Sequence, residues 1–330
     1  LALLYDCSSL VILIAFAWLA AALWFQLPGG PWLKAAGILL WLLLGVVSAG
    51  LLWRGHGARA ALTALPALSL FGLWWRSIRP SDARPWADDV ARHFSSELSG
   101  DLVTLHDVRN FDWRTEQDYD ARWETRAYDL RAICTVDVAV SYWMGPAIAH
   151  TLVSFGFRDA PNLVFSLEIR KERGERFSAV GGFFKQFECT LIAADERDIL
   201  RVRTNVRGED VYLYRIAAID SMSMRSLFLA YLKEGAALRR EPRWYNTLTT
   251  NCTTVVYDMA RHVVGGLPLD YRLLLSGYLP GYLYDVGALT RGADFALLSR
   301  AGRITERAKA ADADPAFSER IRAGVPGMDG

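Results

Sequence analysis

The sequence predicts an α+β domain built on an antiparallel sheet and carried behind an N-terminal region of transmembrane helices. Three observations predict it. Uncharged runs fill the front of the chain, period-2 segments fill its middle, and helical periodicity returns around one polar cysteine segment near the end.

The chain has 330 residues, 52% of them apolar, and a net charge of +1. Its apolar excess lies at the front. Charge is absent from Cys7 to Leu33, from Ala35 to Trp53 and from Ala60 to Trp75, against the roughly 20 residues a helix needs to cross a bilayer core. Three membrane spans are expected within residues 1–78, the third being short and interrupted by Pro66. A signal peptide would explain one run but not three, and a soluble core helix is not apolar on every face for so long. The loop Arg54-Gly-His-Gly-Ala-Arg59 carries positive charge while Leu27-Pro-Gly-Gly-Pro-Trp32 carries none. The positive-inside rule then puts the former in the cytoplasm and, with three spans, everything after Trp75 outside. Arg76, Arg79 and Arg84 run against that placement. The chain opens on Leu1 instead of methionine, so further residues are expected upstream.

Residues 79–87 form a linker, Arg79-Pro-Ser-Asp-Ala-Arg-Pro-Trp86 in the main, whose two prolines stop helix propagation. Eight residues at about 3.5 Å each reach at most roughly 28 Å, so the domain that follows is held near the bilayer. That domain is expected over residues 88–290. It opens with a short helix around Asp88–Leu98 and continues with period-2 segments at Ile133–Trp143, His150–Phe157, Leu163–Arg170, Phe187–Ala193, Ile199–Val206 and Val211–Ile216. Helices are expected at Ser221–Lys233 and Asn251–Val264, the latter stopped by Gly265-Gly266-Leu-Pro268. Residues 291–330 are charged and Ala-rich, which predicts a peripheral helix with a frayed end.

The charge balance gives no basic face for nucleic acid. Among the four cysteines, Cys7 lies at the edge of the first apolar run. Cys134 falls in phase with Val136, Val138 and Val140, and Cys189 with Phe187 and Leu191, so both read as small core hydrophobes; a disulfide between them is the less favoured reading. No metal or other cofactor is expected, because His93, His106 and His262 stand singly and no second Cys or His lies at ligand spacing from Cys252 or His150.

Cys252 has a different setting. It follows Thr250 and Asn251, either a good N-cap, and precedes the apolar stripe Val255, Val256 and Met259. A thiol at a helix N-terminus feels unpaired N–H groups and the positive end of the macrodipole, which favour thiolate. The competing reading is a buried free cysteine at a capped helix end. His150 lies on a strand whose apolar face is Val153, Phe155 and Phe157, but falls in the opposite phase with Leu152, Ser154 and Gly156. That phase suits a base better than a core histidine. If the 158–162 loop closes a hairpin with Phe157 opposite Leu163, Arg170 faces His150 and Glu168 lies on the diagonal; a two-residue slip puts Glu168 directly opposite. Glu168 is therefore the expected orienting acceptor and Ser166 the weaker choice, against the alternative that Glu168 only pairs with an arginine. The Cys252 N–H is a candidate oxyanion donor, with Tyr245, Asn246 and Asn251 as positioning or oxyanion candidates, although a turn-forming role explains Asn246 as easily.

The segments Arg122-Trp-Glu-Thr-Arg126, His150-Thr-Leu-Val-Ser-Phe-Gly-Phe157, Ser166-Leu-Glu-Ile-Arg170, Glu196-Arg-Asp198, Tyr245-Asn-Thr-Leu-Thr-Thr-Asn-Cys-Thr-Thr254 and Ser276-Gly-Tyr-Leu-Pro-Gly-Tyr-Leu-Tyr-Asp285 resemble bacterial proteins grouped with the N-terminal periplasmic domain of Lnb, a lipoprotein acyltransferase. The resemblance runs in order from Asp88 to Leu289. It implies a papain-like thiol fold in circularly permuted order, as in lecithin retinol acyltransferase relatives, with Cys252 as nucleophile and His150 as base. Glu168 as third member comes from the hairpin alone. It further implies an inner-membrane protein whose catalytic domain faces the periplasm and meets a membrane lipid or lipoprotein substrate. The expected function is a thiol acyltransferase moving an acyl chain of a diacylglyceryl lipoprotein to an amine through a Cys252 thioester. A peptidoglycan amidase or endopeptidase with the same machinery is the alternative, and a catalytically silent scaffold the third.

Overall fold

A computed structural model describes residues 2–328. It divides into two compact units: one of residues up to Ser81 with Phe177–Phe187 and Trp244–Asn246, the other of Asp82–Arg176, Glu188–Arg243 and the chain from Thr247.

The first unit holds α1 (Ala2–Gln26), α2 (Pro31–Trp53) and α3 (Gly57–Ser77). Proline opens α2, where its missing N–H costs nothing. At Gly45 of α2 a Cβ would lie 2.7 Å from Phe16 of α1, and Ser9 donates to the Ala49 carbonyl at 3.2 Å. Small residues let the backbones approach, as in membrane-embedded helix pairs. Among the described residues, two helices are long and apolar enough to cross a membrane, Tyr5–Gln26 and Pro31–Trp53. The expected third span is corrected. Its residues do form α3, which is long enough, but Arg59, Pro66 and Arg76 within that helix leave it short of the apolarity required. The loop-charge argument, which needed three spans, loses its footing with it.

The second unit is α+β. Its sheet contains β1 (Ser95–Ser99), β2 (Leu102–Arg109), β5 (Trp123–Asp129), β6 (Ile133–Met144), β7 (Ile148–Phe157), β8 (Leu163–Arg170), β9 (Glu188–Asp195) and β10 (Asp210–Arg215), while β3 (Asp112–Trp113) and β4 (Tyr119–Asp120) form a separate ladder. The order is β1-β2-β9-β8-β7-β6-β10, with β5 also beside β2. Pairing is antiparallel except between β2 and β9, which meet in parallel at Arg109 and Ala194. The sheet is thus mixed, where antiparallel pairing throughout was expected.

Two segments change type. The helix expected around Asp88–Leu98 is only a turn at Asp88–Val90, and the chain then enters β1. The strand expected at Ile199–Val206 is instead α4 (Glu196–Arg201) running into a π-helical turn, Val202–Val206. Asp195 caps it by accepting from the Arg197 N–H at 2.8 Å, which commits the chain to helix just before the alternating residues begin. Cys134 is exposed, not a core hydrophobe: a register shift between Ile133 and Thr135 bulges it out of phase with Val136. Cys189 is buried and free.

Helices α5 (Ser221–Arg240) and α6 (Cys252–Val263) follow, then α7 (Leu279–Asp285), α8 (Phe295–Gly302), α9 (Thr305–Ala310) and α10 (Phe317–Arg322). On one sheet face Phe155 and Phe165 meet Phe228 and Tyr231 of α5, with Phe165 stacked on Tyr231 at 4.7 Å. The other face, Ala139, Leu152, Val164 and Ile192, packs against Leu200 of α4 and against Ile304, Ala308, Phe317 and Ile321. The C-terminal segment is therefore no peripheral tail. Its charge misleads because Arg322 is itself interior, bonded to Glu196 at 2.6 Å and Asp137 at 2.9 Å.

Candidate active site

The Asn251 side chain accepts from the N–H groups of Thr253 and Thr254, both at 2.9 Å, and the Thr254 hydroxyl accepts from the Asn251 N–H at 3.0 Å. This reciprocal cap fixes the start of α6. Asn251 thus has a positioning role: its carbonyl oxygen serves the helix start and its amide donates to the Thr247 carbonyl at 2.8 Å. The Cys252 N–H, at the first helical position, has no intrahelical acceptor. Cys252 itself is 5% exposed.

The strand register supplies the histidine. Strands β7 and β8 pair through Phe155–Leu163 and Leu152–Ser166, two residues from the register with Phe157 opposite Leu163. Phe157 pairs instead with Ile133 of β6. Extended by two, the observed register sets Glu168 opposite His150. Beyond Leu152–Ser166 the two strands stop pairing with each other, while β7 continues along β6 and β8 along β9. The sheet forks there. At the fork His150 and the Thr151 N–H stand close enough to Cys252 to lower its thiol.

The other side of the imidazole is occupied. His150 Nε2 lies 2.7 Å from Ser166 Oγ and 3.2 Å from Glu168 Oε1, and the Ser166 hydroxyl donates to the same Glu168 oxygen at 2.7 Å. Ser166 therefore accepts from Nε2–H, which leaves Nδ1 as the nitrogen for the thiol. Ser166 is not an alternative to Glu168; it bridges to it.

Sequence reasoning missed the next layer. Arg203, in the π-helical turn and buried, donates to Glu168 at 2.8 Å and Glu209 at 3.1 Å. Glu209 also accepts from Ser141, the residue paired with His150 across β6 and β7. Nothing in the alternation of 199–206 marks Arg203 for this position, since it requires a helix there. Tyr231 of α5 was missed too; its hydroxyl is buried without a hydrogen-bond partner and lies in the field of Cys252. Of the remaining candidates, Tyr245 and Asn246 belong to the first unit, where the Tyr245 N–H bonds the Phe187 carbonyl at 2.8 Å.

The electrostatics favour a thiolate–imidazolium pair. Burial works against charge on His150, yet Glu168 outweighs it, with help from Cys252, and lifts the imidazole to about 9. Burial likewise opposes a Cys252 thiolate, but His150, the Thr151 N–H and Thr253 bring the thiol below its ordinary value. Burial, with Glu234 and Glu188, pushes Cys189 the other way, to about 12. Glu168 is held well below the usual carboxylate range: burial raises it, while His150 and Arg203 lower it by more. Two thiols in one unit thus have opposite characters, one favoured as thiolate and one held as neutral thiol.

Among the described residues no group of three or more His, Cys, Asp or Glu side chains could hold a metal ion. Comparison with curated proteins and with solved structures gave no match. The family model of the Lnb N-terminal periplasmic domain matches residues 119–277, a stretch narrower than Asp88–Leu289 that still holds His150, Ser166, Glu168, Arg203 and Cys252. Over this segment the chain matches the Lnb N-terminal periplasmic domain family.

Proposed function

We propose that this protein is a membrane-anchored thiol acyltransferase acting outside the cytoplasm, with Cys252 as nucleophile, His150 as acid and base, and Ser166–Glu168 orienting the imidazole. The observation that carries the reading is the chain of contacts from a capped helix start through His150 to a buried Glu168–Arg203 pair. The family match and the two apolar N-terminal helices support an anchored chain with an extracytoplasmic domain. A histidine strand that precedes the cysteine helix, with a forked sheet between them, supports a permuted papain-like arrangement.

In this mechanism the Cys252 thiolate attacks the ester carbonyl of a diacylglyceryl lipoprotein, and the Cys252 N–H supports the oxyanion. Collapse breaks the carbon–oxygen bond, and the departing alkoxide takes the proton from His150 Nδ1. The products are an acyl thioester and an alcohol. An uncharged amine then attacks the thioester, gives a proton to the now neutral His150, and expels the thiolate. Ester plus amine has become amide plus alcohol, and the enzyme is restored. Ser166 and Glu168 keep Nε2–H engaged throughout, so one nitrogen alone exchanges protons with the substrate.

Expression with and without Cys252→Ala, followed by gel-shift and mass analysis of lipoproteins, tests the reading. The wild-type chain should add the mass of one acyl group at the amine, and the variant none. Cys134→Ala and Cys189→Ala should behave as wild type. Normal acylation by the Cys252→Ala protein would sink the mechanism, and altered peptidoglycan fragments with unchanged lipoproteins would favour the amidase.

A further inference from the structure

Behind the cysteine helix lies a cavity of about 160 Å³, on the sheet face that also carries Phe155 and Phe165. It is walled by Val138 and Val153 of the sheet, Leu227 of α5, Val256 and Ala260 of α6, and Leu283 of α7. No charged side chain lines it. Two tyrosines contribute their rings, but their hydroxyls are spent elsewhere, Tyr257 donating to the Leu267 carbonyl at 2.8 Å and Tyr282 to that of Pro268 at 2.9 Å. One other polar side chain reaches the wall, and it is the residue after the nucleophile. Thr253 Oγ1 lies 4.0 Å from the Cys252 sulfur and 3.2 Å from Thr151 Oγ1. The cavity therefore reaches Thr253, whose hydroxyl lies against the Cys252 sulfur, at its one polar point, and its other lining side chains are apolar or spent on backbone bonds.

A second observation concerns the chain that closes the cavity. Between Leu267 and Leu279, whose side chains face inward, Leu269 is 86% exposed, and Tyr271, Leu274, Leu275 and Tyr278 are exposed as well. Isolated exposed leucines need no explanation, but a run of them with tyrosines marks an interaction surface. Leucines with tyrosines among them suit the boundary between lipid tails and headgroups.

We propose that this cavity receives the fatty-acyl chain whose carbonyl is attacked by Cys252, entering from lipid past the 267–279 rim. The inference rests on the acyl-transfer reading and deepens it by naming an aliphatic chain as the bound group. A polar ligand would lose its hydration to a wall that offers it no partner. The cavity is also smaller than the roughly 300–1,000 Å³ of sites that enclose a whole drug-sized ligand. It takes a segment of one chain, not a glycerolipid with both tails, and thereby selects which ester carbonyl reaches the thiol.

Photo-crosslinking tests this without requiring turnover. The full chain is placed in nanodiscs containing a phosphatidylethanolamine with a diazirine in one acyl chain, irradiated and mapped by mass spectrometry. Label is expected on the cavity walls, at Val256 and Leu283, in the wild-type protein and equally in Cys252→Ala. It should be lost from those positions in Ala260→Phe, which fills the space, while label on residues 5–53 persists. Label confined to the 5–53 helices in the wild-type protein would overturn the proposal, as would unchanged cavity label in a folded Ala260→Phe protein. The acyl-transfer reading fails by a separate signal, the absence of a Cys252 thioester, so cavity label without a thioester keeps the binding site and removes the chemistry.

Discussion

At the scale of single residues, the thiolate–imidazolium pair has a pH signature whose sign follows from its two shifts. Cys252 titrates below its ordinary value and His150 at about 9. The pair therefore exists between the lowered thiol value and about 9. Iodoacetamide should alkylate Cys252 rapidly at neutral pH, below the roughly 8.5 at which an ordinary thiol ionises. If the proposed acyl transfer is the activity, it should fall as pH rises through about 9, because the leaving alkoxide loses its proton donor. In His150→Ala the countercharge is gone and burial remains, so the alkylation profile should move to higher pH. An unmoved profile would show that the helix start alone activates the thiol. The same shift carries stability: charge on His150 stabilises the fold fully below about 6.5, its unfolded value, and that contribution is lost as pH rises through about 9.

Tyr231 offers a second residue-scale prediction. Its hydroxyl is buried without a partner, a condition that costs about 1–3 kcal/mol in desolvation. Tyr231→Phe keeps the ring stacked on Phe165 and removes only the hydroxyl. Thermal or urea unfolding should show stability held or raised. A fall of more than about 1 kcal/mol would mean that the hydroxyl has a partner in solution.

At the scale of elements, the π-helical turn at Val202–Val206 delivers Arg203 to two buried carboxylates. Turns of this kind recur at functional sites because one extra residue re-aims a side chain. Arg203→Met leaves Glu168 and Glu209 without their shared cation, and breaking a buried pair in this way costs about 3–5 kcal/mol. Denaturant unfolding should register that loss, and the His150 titration should change with it. A loss under about 1 kcal/mol, as for a surface pair, would remove Arg203 from the network.

This element also marks where the sequence stopped being legible. Strands β6, β7, β8 and β10 could be read because apolar alternation on a half-buried sheet is a direct consequence of the pleat. The helix at Cys252 could be read because a good cap residue precedes an apolar stripe. Segment 199–206 alternates equally well, yet buries residues 199, 200, 202 and 203 on a helix. Only tertiary context separates the two. His150 and Glu168 were found by phase, and phase survives a two-residue register slip, which is why the wrong hairpin still brought them together. Arg203 had no such signal. Cys134 failed for the opposite reason, since one bulge reverses phase locally.

At the scale of the whole molecule, the C-terminal segment carries the last lesson and the last prediction. Its composition reads as a solvated periphery, but composition does not reveal whether charges face water or each other. Here Arg322 closes a buried cluster with Asp137 on β6 and Glu196 on α4, and Ser154 on β7 donates to Glu196 at 2.7 Å. Phe317 and Ile321 cover the same sheet face that bears His150 and Ser166 farther along. Truncation after Ala313 would strip four core side chains, Phe317, Ile321, Val325 and Met328, each worth about 1.5–3 kcal/mol of burial. It would also leave the buried Glu196 without its cation, at about 3–5 kcal/mol, while Asp137 keeps Arg215. Together these reach the roughly 5–15 kcal/mol that holds a domain folded. The truncated chain should therefore lose cooperative unfolding and rapid proteolysis should begin within the sheet, whereas Arg322→Ala alone should stay folded but melt earlier. Cys252 alkylation at neutral pH reports the consequence at the site, because a thiolate stabilised by the fork between β7 and β8 cannot outlast the sheet that forms the fork. A truncated protein that unfolds cooperatively and alkylates as wild type would return residues 314–328 to the periphery.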